Sequence, residues 1–356
     1  MLLRGQAFNA EQAGAEAVII FNQGNTPDRE ALIVADATSR TNPADPTGPP
    51  LTVTHNIPVV GASFADGVAL AQPGSTAFVE VLPAETRTDF NVIAELPGKN
   101  KNNVVMAGAH LDSVIEGPGI NENGSGSAAL LETALQMTNL NPENTLRFAW
   151  WAGEEQGLVG SADYVTGLSP AERDRIALYM NYDMVGSPNY IFMVYDPDES
   201  TFPAPVPIPA GSAAIEDIYE SYYTAIGEPY DDTEFSGRSE YEAFILAGIP
   251  SSGLTGAEEI KTEEQEAIWG GTVGEQFDQC YHEACDTFEN VDLNALDVNS
   301  DLIAFAALTF AYSTESVNGV PGKEVPGPAF TLPEPAGPEG TFAGESAAGL
   351  SHGATE

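Results

Sequence analysis

Basic residues are scarce: 12 Lys and Arg stand against 53 Asp and Glu, a formal net charge of −41 over 356 residues. Binding to nucleic acid or to an anionic membrane surface needs clustered Lys and Arg, so neither is an expected partner. The surplus acid describes a solvated surface that favours solubility. No apolar run approaches the roughly 20 residues that cross a bilayer, so membrane insertion is not expected. Histidine is rarer still, at four, and each one is informative: His55, His110, His282 and His352. The only cysteines, Cys280 and Cys285, lie close together and are either a short-range disulfide or two free thiols. The first residues, MLLRGQAFNA, lack the charged-then-apolar pattern of a signal peptide. Either the chain is not exported or its leader lies outside this sequence.

What is present divides into three textures. Residues 1–88 read as a small α/β module. A helix is stopped by Gly14, a buried strand covers Ala17–Asn22, and a Pro/Gly/Asp/Thr-rich loop runs from Gly24 to Pro50. A strand at Ile57–Val60, a helix near Ser63 and a strand at Ala77–Leu82 follow. From residue 89 to 315, strands alternate with helices. Strands are expected at Asp89–Leu96, Asn103–Gly108, Asn144–Trp151 and Ala177–Asp183, with a helix over Ser125–Met137. That order predicts an α/β fold, a mixed twisted central sheet with helices on both faces. Residues 316–356 are dense in Pro, Gly, Ala and Glu without periodicity and are expected to be a disordered tail.

Chemistry in open α/β sheets collects at the carboxyl ends of strands. His110, Glu154, Glu155 and Asp183 all stand at or just past such ends. Two adjacent carboxylates after the apolar run Phe148-Ala149-Trp150-Trp151 are costly unless a cation compensates them. Their side chains diverge, so one can ligate a metal while the other faces a water, the division of labour of metal-assisted hydrolysis. A solvated helix start is the plainer reading of the same pair. His55 and His352 fall in loop-like segments and read as solvated.

Six segments carry a resemblance: GAHLDSV (Gly108–Val114), GINENGSGSAALLE (Gly119–Glu132), WWAGEEQGLVGS (Trp150–Ser161), NYDMVGSP (Asn181–Pro188), GRSEYEAFILAGIP (Gly237–Pro250) and CYHEACDT (Cys280–Thr287). Together and in this order they resemble the Streptomyces-type secreted leucine aminopeptidases, co-catalytic two-zinc metallopeptidases. The likeness runs from about Arg87 to Thr314, and residues 1–88 resemble a partial protease-associated domain. The resemblance implies a zinc-exopeptidase fold and two Zn ions per chain. His110 and Asp183 would hold one ion and Glu155 and His282 the other, with Glu122 bridging. It implies Glu154 as general base, Tyr281 as stabiliser of the tetrahedral intermediate, and Asp112 as the residue that orients His110. Glu154, Asp183 and backbone near Arg238 would receive the free α-ammonium of peptide or protein N-termini. Cys280 and Cys285 match a family disulfide, which agrees with a secreted protein. Asp297 and Asp301 stand where some relatives bind calcium.

The chain departs from that pattern in places. Glu122 replaces the Asp of GINDNGSG, adding a methylene at the bridge, and the next peptide bond is cis in relatives. Reduced activity or altered metal preference is therefore expected. Glu240 replaces the Asp of GRSDY, and an aromatic expected within Ser251–Thr262 is missing. Relatives begin their catalytic domain before the protease-associated insertion, with a helix and strand this sequence does not show. The leading expectation is an aminopeptidase acting on apolar N-terminal residues. The competing ones are another reaction on the same metal scaffold, such as carboxypeptidase-type hydrolysis or aminoacyl cyclisation, and a catalytically impaired or metal-free peptidase-like binding protein.

Overall fold

Strand side chains alternate between two faces, and the apolar segments of this chain fill both. The computed structural model describes residues 3–25, 30, 32–33, 39–40, 51–52, 56–81, 86–256, 259–328 and 331–342. Two units separate, Met1–Arg87 and Thr88–Ala348.

The first unit contains α1 (Leu3–Gln12), β1 (Val18–Phe21), β2 (Ser39–Arg40), β3 (Leu51–Thr52), β4 (Val59–Ala62) and α2 (Phe64–Leu70). β1 and β4 pair in parallel, Val18 opposite Val59, and β2 and β3 pair antiparallel. Gly14 ends the first helical stretch at a φ of 90°. Ser63 caps α2 by accepting from the Asp66 backbone N–H. The strand expected at Ala77–Leu82 does not form over 77–81. Phe78 is 88% exposed there, and no partner strand lies alongside among the described residues. Most of the Gly24–Pro50 loop, His55 and His352 lie outside the described residues.

The second unit runs β5 (Val92–Leu96), β6 (Asn100–His110), α3 (Gly124–Gln136), β7 (Asn144–Trp151), α4 (Val159–Gly167), α5 (Pro170–Arg173), β8 (Ile176–Asp183) and β9 (Met193–Tyr195). It continues through α6 (Ala213–Ile226), β10 (Asp231–Thr233), α7 (Tyr241–Leu246), β11 (Ser251–Thr255), α8 (Glu263–Trp269), α9 (Leu293–Tyr312) and α10 (Glu315–Asn318). Seven strands form one mixed sheet in the order β10-β9-β11-β8-β6-β7-β5. β7, β6, β8 and β11 are mutually parallel, β5 is antiparallel to β7, and β9 is antiparallel to β11 and parallel to β10.

The strand residues divide as the pleat requires. Val105, Ala107, Leu146, Phe148, Leu178 and Met180 pack with residues of α3, α6 and α9. Met106, Trp151 and Tyr179 point the other way, against α4 and α7, where Tyr179 stacks on Phe244 with ring centroids 3.8 Å apart. The expected mixed sheet with helices on both faces is present. Its parallel core brings the carboxyl ends of β6, β7, β8 and β11 to one edge.

The stretch read as a tail differs from expectation. Within 316–342, Val317, Thr341 and Phe342 are buried in the second unit, and Thr341 N–H and Gly340 N–H both donate to Asp231. Further bonds from Ala336 and Gly337 N–H to the Thr224 and Tyr230 hydroxyls help anchor a segment whose composition carries no periodicity. Residues 343–356 lie outside the described residues.

Candidate metal centre

β6 ends by delivering His110, which is fully buried. Its Nδ1 lies 3.0 Å from the Asp112 carbonyl oxygen, which fixes Nδ1 as the donor and turns Nε2 toward carboxylates. Nε2 sits 2.9 Å from Glu122 Oε1 and 3.3 Å from Asp183 Oδ1. The Asp112 carboxylate does less for the histidine than expected, at 3.8 Å from Nδ1. It accepts instead from the backbone N–H groups of Glu154 (3.1 Å) and Glu155 (3.3 Å), so it orients the turn after β7 as well.

Glu122 comes from the loop before α3. Asn123 caps that helix by accepting from Gly126 N–H, accepts also from Met184 N–H, and donates to the Tyr182 carbonyl. Gly126 permits this approach, since an added Cβ would lie 2.5 Å from the Tyr182 carbonyl oxygen. The Glu122–Asn123 peptide bond is cis. Asp286 accepts from Asn121 N–H at 2.8 Å and Glu122 N–H at 3.0 Å, clamping the loop that carries the bridge-position acid.

Asp286 follows a Cys280–Cys285 disulfide with Cα atoms 5.3 Å apart. Between those cysteines, Tyr281 stacks on His282, and His282 Nε2 lies 3.1 Å from Glu155 Oε1. Asp183, the last residue of β8, accepts from the Ser239 hydroxyl, which in turn accepts from Asn181.

Donor atoms of His110, Glu122 and Asp183 all lie within 4.8 Å of one another, and so do those of Glu122, Glu155 and His282. The two triads share Glu122. The extra methylene is thus accommodated with the carboxylate in both groups.

Electrostatics without a cation is unfavourable here. Burial, then the charge of Asp183, pushes the Glu122 carboxyl up to about 8. Burial and the same Asp183 charge push Glu154 up to about 9. Burial lowers His110, but Asp183 and Glu122 more than offset it and hold the imidazole well above its ordinary value. Buried Glu122 Oε2 has no hydrogen-bond partner, and Glu155 Oε1 and Asp183 Oδ1 lie against imidazole nitrogens without a hydrogen bond of normal geometry. Orphaned carboxylate oxygens facing two imidazoles are a donor set suited to zinc.

A pocket of about 550 Å³ opens over these groups, lined by Glu122, Glu154, Asp183, Met184, Tyr195, Arg238, Thr255 and Tyr281. Glu234 and Glu259 line it too. Neither stands out in sequence, because each is one acid among 53 and the short strands before them, β10 and β11, are not among those read from the sequence. The expected residues His110, Asp112, Glu122, Glu154, Glu155, Asp183, Arg238, Tyr281 and His282 therefore gather in one region. Asp297 and Asp301 do not: both are exposed on α9, and among the described residues no third metal-binding side chain joins them.

An α/β sheet with two overlapping carboxylate–histidine triads at its strand ends defines a candidate binuclear metal centre. Residues 91–307 match the model of Peptidase family M28 and residues 3–70 that of the PA domain; the chain belongs to Peptidase family M28. It is 46% identical over 317 residues to an aminopeptidase of Pseudomonas aeruginosa, covering 88% of this chain and 56% of that protein. A probable leucine aminopeptidase 2 of Aspergillus fumigatus is 43% identical over 312 residues, covering 86% and 59%. The chain thus spans somewhat over half the length of these relatives. A solved zinc aminopeptidase from Bacillus subtilis superposes with TM-score 0.61 at 26% identity, covering 89% of this chain and 70% of that one. An aminopeptidase from Aneurinibacillus sp. strain AM-1 does so with TM-score 0.60 at 25% identity, covering 94% and 70%.

Proposed function

We propose that this chain is a zinc aminopeptidase that removes N-terminal hydrophobic residues from peptides. The observation that carries the reading is Glu122 shared by two ligand triads beside Glu154 in one pocket. His110 and Asp183 would hold one zinc, Glu155 and His282 the other, and Glu122 both. Zinc bound there supplies Lewis acidity and lowers the pKa of water.

The remaining chemistry belongs to the side chains. Glu154 accepts a proton from the attacking water on its carboxylate and passes it to the departing amine nitrogen. A cation nearby draws its raised pKa back toward the operating range. The Tyr281 hydroxyl donates to the oxygen that becomes negative in the tetrahedral intermediate. Acidic groups of the pocket, Glu154 and Asp183 with Glu234 and Glu259, suit the substrate's α-ammonium, and backbone near Arg238 completes that subsite. Met184 and Tyr195 offer apolar surface to the first side chain. Leucine aminopeptidases among the relatives support that preference. The acidic lining disfavours a substrate carboxylate, which argues against carboxypeptidase action.

The protease-associated module and catalytic domain would divide near residue 88, and residues 316–342 would belong to the catalytic unit. The disulfide and the absence, among the described residues, of a helix long and apolar enough to cross a membrane agree with a secreted protein.

The test uses leucine p-nitroanilide and N-acetyl-leucine p-nitroanilide, with and without 1,10-phenanthroline and zinc add-back. Only the free-amine substrate should be cleaved, with loss on chelation and recovery on zinc addition. Equal cleavage of the acetylated substrate, or no zinc in the purified protein, overturns the reading.

A further inference from the structure

Glu122 is accompanied by Asn121, Asn123 and Ser125, three buried polar residues that belong to neither triad. Their side chains catch the backbone just past Asp183. Asn123 Oδ1 accepts from Met184 N–H at 3.1 Å, Ser125 Oγ from Val185 N–H at 3.0 Å and Asn121 Oδ1 from Gly186 N–H at 3.2 Å. Three successive amides are thus held by alternate side chains of the loop that carries Glu122. Met184 needs such holding, since its φ of 60° is a left-handed conformation that a residue with a side chain disfavours.

Asn121 reaches one loop further. Its Nδ2 donates to Ser187 Oγ at 3.1 Å and to Asp278 Oδ2 at 2.7 Å, and its backbone N–H donates to Asp286 Oδ1 at 2.8 Å. Its carbonyl accepts from the Ser125 hydroxyl at 2.7 Å, so every polar group of this fully buried residue is engaged. Asp278 is fully buried as well, and its other oxygen accepts from Cys280 N–H and Asn290 Nδ2, both at 2.8 Å. Asp278 therefore stands at the foot of the disulfide loop that presents Tyr281 and His282. A carboxamide suits the place of Asn121 because it donates twice and accepts once in one plane. An aliphatic side chain there would orphan buried partners, and a carboxylate would set charge against Asp278 and Asp286.

Resting on the zinc aminopeptidase function proposed for this site, we propose that Asn121 is a positioning residue that locks the loops of Glu122, Asp183 and His282 into one frame. The triad of His110, Glu122 and Asp183 is registered by the held amides, and the triad of Glu122, Glu155 and His282 joins the same frame through Asp278 and Asp286. Ordering the shared Glu122 in one triad then lowers the cost of ordering it in the other, so two zinc ions bind as a pair.

The experiment titrates zinc into the chelator-treated full chain, counts bound ions by native mass spectrometry, and measures kcat and KM on leucine p-nitroanilide. The parent should pass from no zinc to two with little one-zinc form. Asn121→Asp removes both side-chain donors, so the one-zinc form should dominate over a wide zinc range. With excess zinc its kcat should fall about a hundredfold while KM stays within about threefold. Adding Asp278→Asn to Asn121→Asp exchanges amide and carboxylate across the same contact. The pair should regain at least about tenfold in kcat over Asn121→Asp alone, and with it the paired binding. Should Asn121→Asp fail to fold, Ser187→Ala, which removes one acceptor of the Asn121 amide, must still raise the one-zinc population and lower kcat about fivefold. A parent that binds no zinc overturns the aminopeptidase function and this proposal with it. Paired zinc in parent and folded variants alike, a lower Tm with kcat and pairing intact, or no recovery in the folded exchange overturns this proposal alone.

Discussion

The two carboxylate clusters of the second unit are built alike and equipped differently. Each consists of two triads joined through one glutamate, Glu122 in the first and Glu216, among Asp196, Asp198, Glu220 and Asp232, in the second. Each leaves buried oxygens unused. The first adds His110 and His282 and opens into a pocket that also holds Glu154. The second has oxygen donors alone and lies where the backbone of β9, α6 and β10 meets. Clustered acid thus states only that a cation or protons must be present. The donor type and the access decide whether the site performs chemistry or holds the fold.

The largest expected effect tests the chemical half of that comparison. Glu154 contributes to neither triad, so Glu154→Gln should lower kcat by about a thousandfold. Zinc content by mass spectrometry and Tm should be unchanged. A loss of zinc together with activity would make Glu154 a ligand and erase the distinction between base and cage.

Next in size is a residue acting from outside the triads. Asp286 holds the Asn121 and Glu122 amides from the disulfide loop that also carries His282. Asp286→Asn presents an NH2 to one of those N–H groups, and the Glu122 carboxylate loses its fixed direction. Misplacement on the ångström scale costs on the order of a hundredfold in kcat. KM should move far less. A fall in Tm with kcat intact would make Asp286 purely structural.

Such contrasts show why parts of the molecule are legible in sequence and others are not. Asn144–Trp151 is read correctly as a strand because Leu146 and the apolar run Phe148–Trp151, interrupted only by Arg147, have few other uses. His110, Glu155 and Asp183 are legible because parallel strands all deliver their last residues to one edge. β6 extends beyond the expected Asn103–Gly108 at both ends, since pairing with β7 and β8 overrides the polar Asn100-Lys101-Asn102 start. The second cluster is invisible to the same reasoning: its acids are scattered from 196 to 232 and meet only because β9 and β10 flank α6. Thr341 and Phe342 are hidden for a related reason, as contacts far apart in sequence leave no local period. The strand expected at Ala77–Leu82 fails in the opposite sense, where local propensity finds no partner strand among the described residues.

The smallest effect concerns a buried acid that belongs to neither cluster. Glu240 is fully buried, and neither of its carboxylate oxygens has a hydrogen-bond partner of normal geometry. Burial is the main cause that pushes its carboxyl up to about 8, with Asp183 and Asp112 adding repulsion and His110 opposing it. In the unfolded chain the same group titrates near about 4.5. Between those values the folded state holds a proton that the unfolded state has released. Its stability contribution is therefore present below about 4.5 and lost as pH rises toward 8. Glu240→Gln removes that dependence. Unfolding free energies from urea titration at pH 5 and pH 8 should differ less in the variant than in the parent, by about 2 kcal/mol without zinc. The difference should shrink with zinc bound, because a cation beside Asp183 offsets the same repulsion. An equal pH dependence in parent and variant would show that Glu240 is already charged in the fold, and that a partner other than a proton compensates it.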